Sequence, residues 1–206
     1  MAARFDRVAW CYPLFETAFL VPKSARRSAL DQLNLQAGNR VLSIGCGRGP
    51  LLPEIGRIVG AQGQVVGVDL SQRMLDFAQR QNERHGLQNI ELLRTDALTY
   101  RGTAPFNAIL FSFSLTSFGQ PADMLHHAWE MLAPGGRMVV LDGQLPPSSR
   151  ALVRPVLPTI RWFLESTVLG DPDMEPLVLL KDLGQPVNVA HMRGGAYFVA
   201  QVIKPG

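Results

Sequence analysis

The chain has 206 residues, 47% of them hydrophobic and 18% charged, which suits one ordinary globular core and excludes a disordered or fibrous chain. Its formal net charge is +3, and no run of Lys and Arg is interleaved with aromatics, so nucleic acid is not an expected partner. Cys11 and Cys46 are too few for a disulfide framework, and no Cys/His spacing suggests a metal site; free thiols in the cytoplasm are the expectation.

The N-terminus carries Arg4, Asp6 and Arg7 before any long apolar run and does not read as a signal peptide. The first 35 residues read as helices laid over a sheet. Residues 40–44 form a β-rich run that stops at a glycine cluster, and 51–59 read as a helix with Pro50 in its first turn. A second strand at 65–68 ends at Asp69. Ser71 can cap the following helix, which carries Met74, Leu75 and Ala78 on one face and stops at Gly86. A third strand at 90–93 is closed by Asp96, and a fourth at 108–111 precedes a helix at 122–132. Pro134-Gly135-Gly136 is a turn into a fifth strand at 137–141. Residues 144–183 are proline-rich and read as helical in pieces; 152–169 is interrupted by Arg154, Arg161, Glu165 and two prolines, so it is a poor transmembrane segment. The end returns to β, 187–192 and 197–203 around Arg193-Gly194-Gly195, as an antiparallel hairpin. Strands alternating with helices predict a Rossmann-like, doubly wound, mainly parallel seven-stranded α/β sheet with that hairpin added, all in one domain.

Chemistry concentrates at the strand ends. Gly45-Cys46-Gly47-Arg48-Gly49-Pro50 lies between a strand and a helix, where glycines let a backbone approach a ligand. The dinucleotide fingerprint G-x-G-x-x-G would put a third glycine at 50, which is Pro50. Asp69 closes the second strand, where a carboxylate can accept from ribose hydroxyls.

With these pieces in place, the sequence resembles the class I S-adenosylmethionine (SAM)-dependent methyltransferases. The resemblance rests on Val41-Leu42-Ser43-Ile44-Gly45-Cys46-Gly47-Arg48-Gly49, on Gly67-Val68-Asp69-Leu70-Ser71 with Met74, on Thr95-Asp96-Ala97 and on Leu132-Ala133-Pro134-Gly135-Gly136, in the family's order and spacing. It implies that 45–49, with Gly45, Cys46, Gly47 and Gly49, pass beneath the methionine part of SAM. Asp69 would hold the ribose, Leu70 and Met74 would pack on the adenine, and Asp96 with the Ala97 N–H would read the adenine edge. Phe111-Ser112 would border the sulfonium. The leader Phe5-Asp6-x-Val8-Ala9-x-x-Tyr12 resembles the ubiquinone/menaquinone (UbiE-like) and phospholipid N-methyltransferase branch, whose tyrosine lies against the cofactor.

Three positions depart from the pattern. Ser43 stands where an acid is usual, which leaves the SAM ammonium to backbone carbonyls near Gly45 and Phe111. Pro13 follows Tyr12 where quinone methyltransferases tend to have Asp, and Asn107 opens the fourth strand in place of Asp.

The acceptor is expected to be small and apolar or aromatic: quinol-, phenol-, amine- or lipid-like. The N-terminal helices and the 144–183 segment would cover it, with Trp10, Phe15, Phe19, Phe113, Thr116, Trp162 and Phe163 as candidate contacts. Methyl transfer from a sulfonium needs chiefly alignment and exclusion of water. No catalytic base is assigned: His126 and His127 lie in a helix remote from the strand tips, and His85 and His191 read as structural. The charge is compatible with peripheral contact with an anionic membrane but demands none, and the oligomeric state is left open.

Two other readings stand beside this one. A nicotinamide oxidoreductase also uses a glycine turn and a strand-end acid. Pro50 opposes it, as does the lack of a lysine four residues after Tyr12, Tyr100 or Tyr197. A catalytically silent SAM-binding relative fits Ser43 and the missing base.

Overall fold

A computed structural model describes residues 22–144 and 174–206. Helix α1 (Lys23–Leu33) buries Ala25, Ala29, Leu30 and Leu33 on one stripe, and Asn34 closes it in the left-handed region at φ 46°. Strand β1 (Arg40–Ile44) begins with its Arg40 N–H donating to Asn107 Oδ1 at 2.8 Å. Helix α2 (Leu52–Val59) starts later than the sequence suggests. Leu52 N–H donates to the Gly49 carbonyl, so an extra turn precedes the helix, and Pro53 rather than Pro50 occupies its first turn.

Strand β2 (Gln64–Asp69) leads into helix α3 (Gln72–Arg84), where Ser71 Oγ accepts from Met74 N–H at 3.2 Å. Strands β3 (Ile90–Arg94) and β4 (Phe106–Ser112) follow. A short 3-10 turn (Leu115–Ser117), helix α4 (Pro121–Met131) and strand β5 (Leu132–Gly143) come next. The Pro-Gly-Gly turn expected ahead of the fifth strand lies inside it. Leu132 pairs with Phe106 and Arg137 with Ala108, so residues 133–136 bulge from a continuous strand. Lys204 anchors the bulge: its N–H donates to the Gly136 carbonyl, and its ammonium donates to the carbonyls of Trp129 and Leu132 at 2.8 Å. Helix α5 (Pro176–Lys181) precedes the hairpin β6 (Val187–Met192) and β7 (Tyr197–Ile203).

The seven strands lie in the order β3-β2-β1-β4-β5-β7-β6, parallel from β3 to β5, with β7 antiparallel to β5 and β6 antiparallel to β7. The doubly wound mixed sheet therefore matches the expectation. Two apolar clusters cover its faces. Buried residues of α1, α2 and α3 pack with Val41, Val65, Leu110 and Val139, and those of α4 and α5 pack with Leu42, Ile109, Val140 and Phe198. The order in which successive strands are added to the sheet reverses between the parallel neighbours β1 and β4. Loops leave these adjacent strands toward opposite faces, which opens a crevice at their carboxyl ends.

Candidate active site

The crevice is lined first by the turn after β1. Gly45, Gly47 and Gly49 have φ of +62°, +55° and +66°, so the chain winds in a conformation that side-chained residues avoid. At Gly45 a Cβ would also stand 2.7 Å from Ser114 Cβ, because the Ser114 hydroxyl donates to the Ile44 carbonyl at 2.7 Å and draws the turn after β4 against the loop. A Cβ at Gly47 would meet nothing within 4 Å. Bare backbone there borders open space, as a cradle for an extended ligand requires.

Asp69 sits half-buried at the tip of β2. Its Oδ2 accepts from Gly47 N–H at 2.8 Å and its Oδ1 from Ser71 N–H at 2.9 Å, so one carboxylate orients the glycine turn and the entry to α3. Leu70 is half-buried beside it and Met74 is buried under the first turn of α3. Asp96 is exposed after β3, its Oδ1 accepting from Leu98 N–H at 3.0 Å, and Ala97 is buried next to it. At the end of β4, Phe111 is fully buried with its ring edge-on to Phe118 at 6.5 Å between centroids, and Ser112 is half-buried. The glycine turn, Asp69, Leu70, Met74, Asp96, Ala97, Phe111 and Ser112 thus gather along one edge of the sheet. The donor set suits a nucleoside carrying a zwitterionic chain: a strand-tip carboxylate for the diol and an open glycine backbone for the chain.

Cys46 lies buried inside the loop. Burial, and then the Asp69 charge, push its thiol well above its ordinary value, so it remains protonated and packs as an apolar group. Ser43 is buried within β1. His127 is buried with its ring against the Arg101 guanidinium and the Tyr100 carbonyl, on the face away from the glycine turn, while His85, His126 and His191 are exposed. Tyr12, Trp10, Phe15, Phe19, Trp162 and Phe163 fall outside the described residues, as does most of the expected 144–183 cover.

Two features escaped the sequence reading. One is a cavity of about 640 Å³ lined by Phe118, Pro121, Met174, Glu175, Val178 and Leu179, within the usual range for small-molecule sites. Phe118 connects it to the loop, since its Cζ lies 3.8 Å from where a Gly45 Cβ would stand. The other is Asp142, 4% exposed near the end of β5. Its Oδ1 accepts from Gly143 N–H at 2.9 Å, and Thr116 approaches with its N–H at 3.5 Å and its hydroxyl at 3.4 Å from Oδ2. Burial, opposed by those contacts, pushes the Asp142 carboxyl up to about 7. A sequence signal did exist: Asp142 ends an apolar run as Asp69 does. Phe113, expected on the acceptor side, has φ 53° and packs its ring edge-on to Tyr197 at 6.1 Å.

Comparison with known proteins agrees with this geometry. A family model described as a methyltransferase domain matches residues 41–136, from β1 through the bulge of β5. A demethylmenaquinone methyltransferase from Tropheryma whipplei is 33% identical over 169 residues, covering 79% of this chain and 69% of that enzyme. A demethylmenaquinone methyltransferase from Oceanobacillus iheyensis is 29% identical over 126 residues, covering 60% of this chain and 52% of its own length, so the chain spans about half of that relative. Among solved structures, the N-methyltransferase NodS from Bradyrhizobium japonicum, in complex with S-adenosyl-l-homocysteine, shares the fold. Its TM-score is 0.65 at 17% identity, covering 89% of this chain and 87% of that one. A glycine turn at a sheet reversal, acids at the ends of β2 and β3 and these matches together place the chain in the class I SAM-dependent methyltransferases, on their UbiE-like branch.

Proposed function

We infer that the chain methylates a small, apolar aromatic acceptor of the quinol or phenol class. The carrying observation is that the bare glycine backbone and the apolar cavity meet at one residue, Phe118, which puts a cofactor cradle and an acceptor-sized space side by side. The naming of relatives as demethylmenaquinone methyltransferases supports the same acceptor class. When bound, SAM supplies an electrophilic methyl on a sulfonium, which departs as a neutral thioether.

In this reading the turn at 45–49 carries the methionine portion and Asp69 accepts from the ribose hydroxyls. Leu70 and Met74 flank the adenine, and Asp96 and Ala97 read its edge. Phe111 and Ser112 close the crevice beneath the reacting centre. Tyr12 and the aromatics at Trp10, Phe15 and Trp162 belong to the cover, within one domain. The apolar side chains of Phe118, Val178 and Leu179 offer a planar ring a surface to lie on.

A free, buried Cys46 is consistent with work in the cytoplasm. No described helix is long and apolar enough to cross a membrane. Peripheral contact with a membrane, where an apolar quinol would be met, belongs to the same reading. The test is SAM consumption against demethylquinols, phenols, amines and phospholipids, with product masses. Turnover confined to quinols or phenols is expected; turnover confined to amines or phospholipids would overturn the assignment.

A further inference from the structure

A hydroxyl on an aromatic ring has a pKa near 10, so an acceptor of that kind gains nucleophilicity at neutral pH only if its proton is taken. Of the histidines only His191 reaches the level of the strand tips, exposed on the edge strand β6 two strands away from β5, whereas Asp142 is buried on β5 beside β4. β5 is the immediate neighbour of β4, with Leu141 in register with Ser112, so Asp142 lies one residue beyond the level at which β4 ends. The turn leaving β4 reaches the glycine loop through Ser114 and Asp142 through Thr116, two residues apart. Phe118, two residues further, forms the cavity wall. Thr116 is half-buried and Asp142 buried, so of the two it is the threonine that a ligand can reach more readily.

We propose that Thr116 and Asp142 form a proton-accepting pair for the acceptor hydroxyl, with Thr116 Oγ as the relay and Asp142 as the final base. This rests on the quinol or phenol reading above. The acceptor O–H bond breaks and its proton passes to Thr116 Oγ as the threonine's own proton passes to Asp142. The electron pair left on the acceptor oxygen drives methylation at that oxygen or at the ring carbon beside it. For carbon methylation the ring C–H proton is lost afterwards to restore aromaticity. Asp142 then returns its proton to solvent.

The surroundings suit the task. Gly143 N–H holds the carboxylate in place, and burial is the first cause of its raised affinity for a proton. From β7 it has Phe198 in register; the next residue, Tyr197, pairs with Gly143 and packs its ring on Phe113, and burial raises its phenol while Arg193 lowers it. On β6, His191 is in register with Phe198 and exposed. A base must be ionised, so kcat should rise with pH through about 7 and level off above it.

The experiment uses the full chain and a series of phenols of falling pKa, with Asp142→Asn and Thr116→Val beside the wild type. Asp142→Asn should lose about a hundredfold or more in kcat on ordinary phenols while binding S-adenosylhomocysteine within twofold of wild type. On phenols acidic enough to be ionised at neutral pH, the variant and the wild type should converge. Thr116→Val should move the rise in kcat to higher pH, because the Thr116 hydroxyl favours the carboxylate. Independently of turnover, infrared spectra of the S-adenosylhomocysteine complex should show a carboxylic acid band that titrates near pH 7 and is missing from Asp142→Asn. An Asp142 ionised throughout pH 5 to 9, or an Asp142→Asn equally slow on acidic and ordinary phenols, overturns the relay. If the wild type turns over phenols and Asp142→Asn matches it throughout, the relay alone fails; if it turns over amines alone, the acceptor reading fails and takes the relay with it.

Discussion

Asp69 joins two segments that are far apart in the chain, since its carboxylate accepts at once from Gly47 and from Ser71. Asp69→Ala should therefore weaken SAM binding by more than tenfold, measured by isothermal titration, an upper part of which comes from a loosened glycine turn. Gly45→Ala tests the turn itself. Its φ of +62° costs a side-chained residue about 1–2 kcal/mol, and the new Cβ would press on Ser114 Cβ. The expected result is a melting midpoint lower by at least about 2 °C together with weaker cofactor binding. These residues were legible in the sequence because the backbone requirement is local: positive φ selects glycine, and a strand end exposes its acid. Asp142 was not legible as a base, since its burial and its neighbour Thr116 arise from two strands meeting side by side.

Among the elements, α3 and α4 differ in how their ends are satisfied. The N-terminus of α3 is capped locally by Ser71, and Ser71→Ala should lower unfolding stability by about 1 kcal/mol in urea. The C-terminal end of α4 is held from a distance, by the Lys204 ammonium on the carbonyls of Trp129 and Leu132. Lys204→Met keeps most of the stem that lies by Trp129 but removes both bonds, and should cost about 2 kcal/mol in the same assay. The first of these contacts is written within four residues and could be read directly; the second spans more than seventy and could not. The same division explains the Pro-Gly-Gly segment. Its composition specifies a turn, but pairing with β4 on one side and with Lys204 on the other absorbs that turn into β5 as a bulge.

For the molecule as a whole, the buried Asp142 sets a pH dependence. Folding raises its carboxyl from 3.8 to about 7. Between those values the folded chain binds more protons than the unfolded one, so stability falls as pH rises. The contribution is complete below about pH 4 and lost above about pH 7, by up to roughly 4 kcal/mol. Urea unfolding at pH 5 and pH 8 should show this decline in the wild type and much less of it in Asp142→Asn; equal slopes would refute the burial of an uncompensated acid. Sequence alone determined the alternation of strands and helices, the closing hairpin and the glycine turn with its strand-tip acids, because periodicity, turn chemistry and backbone sterics act over a few residues. Tertiary structure alone decided which strands became neighbours. From that came the crevice at the β1–β4 reversal, the cavity against Phe118 and the pairing of Thr116 with Asp142, since desolvation and proximity exist only once distant segments have packed.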